Sequence, residues 1–98
     1  MMSISKTKTS FYRRLYVAYL IEQGVASVPG IMSFTGMPRR TAQDTIKSLA
    51  ELDIHCQFVQ EEGARNRTGH YAIVDWGAIN KQWIADNLSE IKSTLDYP

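Results

Sequence analysis

The pattern of apolar and polar positions changes period part-way along the chain. After the polar opening MMSISKTKTS, the run FYRRLYVAYLIEQ sets Phe11, Leu15, Ala18 and the Tyr19–Leu20–Ile21 cluster at helical spacing. Thr9 or Ser10 suits its N-cap and Gly24 its C-terminal stop, so residues 1–8 are expected to be flexible. Ser27 reads as the N-cap of a short second helix, VPGIMSFT. Pro29 is tolerated there because an N–H in the first turn has no helical partner. Ile31, Met32 and Phe34 are expected inward, and Gly36 ends this helix. Pro38 opens a third helix, in which Ala42, Ile46, Leu49 and Leu52 recur at four- and three-residue steps as one apolar stripe. Asp53 falls where a left-handed residue closes a helix.

From Ile54 the period becomes two. IHCQFVQ alternates Ile54, Cys56 and Phe58 against His55 and Gln57, and HYAIVDW alternates Tyr71 and Ile73 against Ala72 and Val74. The glycines and polar residues of EEGARNRTG between them predict a hairpin loop longer than two residues. Asp75 is then expected to cap a last helix over residues 76–96, with Ile79, Trp83, Ile84, Leu88, Ile91 and Leu95 as its stripe and both tryptophans in the core. Three helices, two strands and a helix make a mainly helical α+β domain filling residues 1–98.

Composition narrows the class. A chain of 98 residues with 44% hydrophobic content supports one modest core. No apolar run approaches the roughly 18 residues that span a bilayer, and the opening lacks the apolar segment of a secretory signal, so a cytoplasmic protein without membrane partners is expected. The single cysteine, Cys56, has no disulfide partner, and neither His55 nor His70 has a second ligand at metal spacing. No phosphate loop, nucleophile elbow or held acid/base pair is visible. No enzyme, cofactor, metal or small-molecule ligand is therefore expected.

The net charge of +1 conceals an asymmetry. In the first half Lys6, Lys8, Arg13, Arg14, Arg39, Arg40 and Lys47 face only Glu22 and Asp44, whereas the second half is acid-rich. A chain so divided can turn one basic face toward a polyanion. The third helix supplies the chemistry: behind a turn made by Gly36 and Pro38 it opens with Arg39, Arg40, Thr41 and Gln43, donors suited to phosphates and base edges. The hairpin loop adds Arg65 and Arg67. Arg13 and Arg14 are expected to face solvent.

SVPGIMSFTGMPRRTAQDTIKSLAELDI followed by EEGARNRTGHYAI resembles the winged helix-turn-helix family of small bacterial DNA-binding proteins, over roughly Phe11 to Trp76. The resemblance implies three helices plus a β-hairpin wing, here with a C-terminal helix added. It also implies a cytoplasmic transcriptional regulator that binds duplex DNA sequence-specifically. Arg39, Arg40, Thr41, Gln43, Asp44 and Lys47 would lie on its recognition face, and Arg65 and Arg67 on the wing tip. Two departures from the pattern are Asp53, where glycine is usual, and the acids Glu61 and Glu62 at the wing base.

The last helix carries a separate expectation. Ile84, Leu88, Ile91 and Leu95 extend a stripe past what so small a core covers, which predicts a homodimer through these residues; the alternative is that the helix folds back on the first. For the domain as a whole, the alternative to DNA binding is a protein-interaction module. RNA or single-strand binding through the aromatics is disfavoured by their inward spacing.

Overall fold

The computed structural model describes residues 5–60 and 69–97. Helix α1 spans Lys6–Glu22, α2 Val28–Thr35 and α3 Arg39–Ser48, followed by a 3-10 turn, Leu49–Leu52. Strands β1, His55–Gln60, and β2, Gly69–Asp75, form an antiparallel hairpin, and two short helices follow: α4, Lys81–Asp86, and α5, Leu88–Leu95.

Helix α1 begins four residues before the expected first turn. Its cap is Ser5, whose hydroxyl accepts the Lys8 N–H at 3.1 Å, so residues 6–8 form its first turn. The turn between α2 and α3 follows the sequence closely. Gly36 adopts φ 82° and donates its N–H to the Met32 carbonyl, while the buried Thr35 hydroxyl accepts the Met37 N–H at 3.1 Å. Met37, itself buried, plugs the corner, and Pro38 is the N-cap of α3. Asp53 takes the left-handed conformation that closes the 3-10 turn.

Two clusters of buried side chains share α1. One joins Val17, Ala18 and Ile21 to α2, α3 and the residues after it through Ile31, Ala42, Ile46, Leu49 and Ile54. The other joins Tyr12, Leu15, Tyr16 and Leu20 to Ile84 of α4 and Ile91 of α5. Each fully buried aliphatic side chain contributes about 1.5–3 kcal/mol. The hairpin is tied to the α1–α2 connection by the Tyr71 N–H, donated to the Ala26 carbonyl at 2.9 Å. Its register slips between His55, opposite Asp75, and Cys56, opposite Ile73, which leaves Val74 as the extra, exposed residue of a bulge.

The C-terminal region differs from the single helix expected over 76–96. The Asp75 carboxylate accepts the Gly77 N–H in a local turn, and the cap passes to Asn80, whose side chain accepts the Gln82 N–H at 2.9 Å. Asn87 then leaves helical geometry and donates its side-chain amide back to the Trp83 carbonyl, splitting α4 from α5. That break lets both pieces lie along α1. Ile84 and Ile91 are fully covered by the same chain, and Leu88 and Leu95 are half-buried against the same cluster. The stripe thus has an intramolecular partner, with Tyr97 stacked on Tyr16 at 5.9 Å beyond it.

Three residues expected inward lie at the surface. Phe34, at the end of α2, is exposed; Phe58 is 52% exposed and packs edge-on to Tyr71, its cross-strand partner; Trp83 is 42% exposed beside Tyr12. Trp76 is half-buried and donates its indole N–H to Glu22 at 3.1 Å. At the hairpin base, Gly77 adopts φ 59° and lies against the Asp53 backbone so closely that a Cβ there would fall 2.5 Å from the Asp53 carbonyl oxygen.

Candidate nucleic-acid interface

The geometry of α3 follows from its stripe. Ala42, Thr45 and Ile46 are buried, so the opposite side of the helix faces outward. Arg39, Arg40, Gln43, Asp44 and Lys47 are exposed there. Arg40 Nε lies 3.9 Å from Asp44 Oδ2, with side chains 93% and 71% exposed, an i, i+4 pair that aligns the guanidinium along the helix. Arg39, Gln43 and Lys47 have no side-chain hydrogen bond or ion pair among the described residues. Proline at the N-cap offers no side-chain acceptor, so no side chain caps the first amides of α3.

This ridge has two unlike flanks. Toward the hairpin lies an open cleft of about 500 Å³ lined by Gln43, Ile46, Lys47, Ile54, Cys56 and Tyr71. Burial pushes the Cys56 thiol pKa up, and a weaker opposing influence comes from the Ala72 backbone hydrogen bond. Toward α1 lies a smaller, polar cleft of about 250 Å³, lined by Ser10, Arg13, Arg14, Thr41, Asp44, Thr45 and Ser48. Thr41, expected on the recognition face, is half-buried and lines this α1 flank. Asp44 borders both the ridge and that flank.

Arg13 and Arg14 also depart from expectation, being half-buried rather than solvent-facing. Arg14 Nε donates to the Ser48 hydroxyl at 2.8 Å, and Arg14 Nη1 donates to both the carbonyl and the hydroxyl of Ser10. The signal for this was present in the sequence: Ser10, Arg13 and Arg14 share one face of α1, as Thr41, Thr45 and Ser48 share one face of α3. What the sequence lacked was the knowledge that the two faces meet. Arg65 and Arg67 lie outside the described residues, while His70, on the second strand, is exposed.

A buried three-helix corner, an outward third helix and a hairpin behind it define a winged helix-turn-helix protein. Residues 6–95 match the model of the family described as winged helix-turn helix, and the chain belongs to that family. The crystal structure of a DUF2131 family protein from Shewanella amazonensis SB2B is similar throughout, with a TM-score of 0.90 and 38% identity, over 98% of this chain and 92% of that one. No functionally curated protein matches the chain. A domain of this family suggests DNA as a partner. Among the described residues no helix is long and apolar enough to cross a membrane.

Proposed function

We propose that the protein binds duplex DNA sequence-specifically and acts as a transcriptional regulator, with α3 in the major groove. The observation that carries this reading is the outward face of α3. Arg39, Gln43 and Lys47 project there with no hydrogen bond or ion pair among the described residues, beside the aligned Arg40–Asp44 pair. Arginine suits the O6 and N7 acceptors of guanine, glutamine suits adenine, and lysine meets phosphate as a point charge. Arg65 and Arg67, on the segment joining the two strands, extend the reading to the neighbouring backbone or minor groove.

Homodimerisation on two half-sites belongs to the same proposal, in a reduced form. Ile84 and Ile91 are covered within the chain, so Leu88 and Leu95, half-buried, are the members of the stripe within reach of a second copy. Light scattering of the full chain reads this directly, and a monomeric mass at high concentration sinks it.

Titration of mixed duplex DNA across a salt series tests the main reading. Affinity should fall steeply as salt rises, because each neutralised phosphate releases counterions. Replacing Arg39 and Arg40 by alanine together should weaken binding and flatten the slope. Absence of binding at low salt would discard the reading and favour docking of the same helix on a protein.

A further inference from the structure

The α1 flank of the ridge contains more cationic chemistry than packing requires. Arg13 and Arg14 stand beside four hydroxyls, from Ser10, Thr41, Thr45 and Ser48, around a cleft of about 250 Å³. At roughly 30 Å³ of liquid per water, that space holds a tetrahedral anion with part of its hydration shell. The two arginines differ in what they still offer. Arg14 is committed, since its bonds to Ser48 and Ser10 bridge α1 to α3 and hold its charge at the cleft wall. Arg13 is not. Its Nε is shielded from solvent and has no hydrogen-bond partner among the described residues. A buried donor without an acceptor is costly, and a turn of the Arg13 guanidinium into the cleft it lines would carry that donor to an oxygen supplied there. Among the described residues the one carboxylate bordering the cleft, Asp44, is highly exposed and paired with Arg40 instead.

We infer that the cleft between α1 and α3 is an oxyanion site for phosphate, with Arg13 as the ligand and Arg14 as the positioning residue, and that its occupant is a backbone phosphate of bound DNA. The inference rests on the DNA-binding reading for its occupant, but not for its chemistry. Position supports the occupant. Thr41, Asp44 and Ser48 run along the side of α3 next to its outward face, so the cleft opens beside the ridge rather than behind it. A helix lying in a major groove about 12 Å wide meets a row of phosphates on either side. Half to two-thirds of the hydrogen bonds in such complexes go to that backbone and fix the register. One turn earlier on α1, Lys6 lines an adjoining groove with Ser10 and Arg14, which continues the cationic track along α1.

The test uses the full chain as wild type, Arg13→Gln and Arg13→Lys, each titrated with duplex DNA across a salt series. Arg13→Gln should lower the magnitude of the salt slope by about one, the loss of one phosphate contact, while Arg13→Lys retains it. In the wild type the Nε–H resonance of Arg13 should shift on adding DNA. If the wild type binds DNA while Arg13→Gln keeps the full slope and the resonance stays still, the inference is overturned and the DNA reading stands. If the wild type binds no DNA, that reading fails and the assignment of a DNA occupant fails with it. Inorganic phosphate at low salt then decides the cleft alone: a shift of the Arg13 Nε–H resonance retains an oxyanion site, and its absence removes the site.

Discussion

The inner and outer faces of α3 are separated by half a helical turn and are answerable to different partners. Ala42 and Ile46, continued by Leu49, are buried against α1 and α2, and their identity is dictated by packing. Arg39, Gln43 and Lys47 make no side-chain hydrogen bond or ion pair among the described residues, so no polar contact there dictates them. Stability and ligand binding should therefore separate cleanly between the two faces, and substitutions can break that separation or sharpen it.

The largest effect belongs to the inner face. Leu49→Ala should destabilise the protein by about 2–5 kcal/mol through lost burial and a residual cavity. Denaturant unfolding reads this as a lower midpoint, and any loss of DNA binding should follow only from the unfolded fraction. The outer face should behave in the opposite way. Replacing Arg39 or Arg40 by alanine should leave stability within about 0.5 kcal/mol. DNA affinity should fall by about 1–3 kcal/mol where the arginine reads a base. A thermal midpoint lowered as far as in Leu49→Ala would contradict the division.

Smaller effects lie where neither face governs. Gly77→Ala imposes a positive φ on a side chain and drives its Cβ against the Asp53 backbone, which should cost about 1–3 kcal/mol in a melt. The smallest effect is at Cys56, on the hairpin flank. Its folded-state pKa is raised by burial, so the folded protein holds the thiol proton more tightly than the unfolded chain does. That contribution is complete below the ordinary thiol pKa and is lost as pH rises through the raised folded value. Wild type should therefore lose stability relative to Cys56→Ala in alkaline solution, and alkylation of the native thiol should be slow at neutral pH. Curves that stay parallel across that window would remove the point.

These contrasts also explain what was legible in the sequence. Ser27, Gly36, Pro38 and Asp53 act locally, through caps and special dihedrals, and each sits in the structure as the sequence places it. The stripe of α3 was legible because it repeats over several turns. The start of α1 was not, since SKTKTS, residues 5–10, has no apolar periodicity and offers several competing caps, of which Ser5 prevails. The split at Asn87 was hidden because the stripe from Ile79 to Leu95 survives a break between two helices that both lean on α1. For the site, the outward residues of α3 follow from its own periodicity. The α1 flank depends on how α1 and α3 face each other, which no single helix encodes.

The contact between Gly77 and Asp53 has a consequence of another kind. The hairpin's two ends close on each other where it leaves and rejoins the body, and the Tyr71 N–H anchors it a second time, on Ala26. A segment anchored in that way behaves as a cassette. Beyond those anchors it can be lengthened, shortened or recharged without rethreading the helices. A lineage carrying this domain could thus change what its hairpin touches while inheriting α3 and its two flanks unaltered.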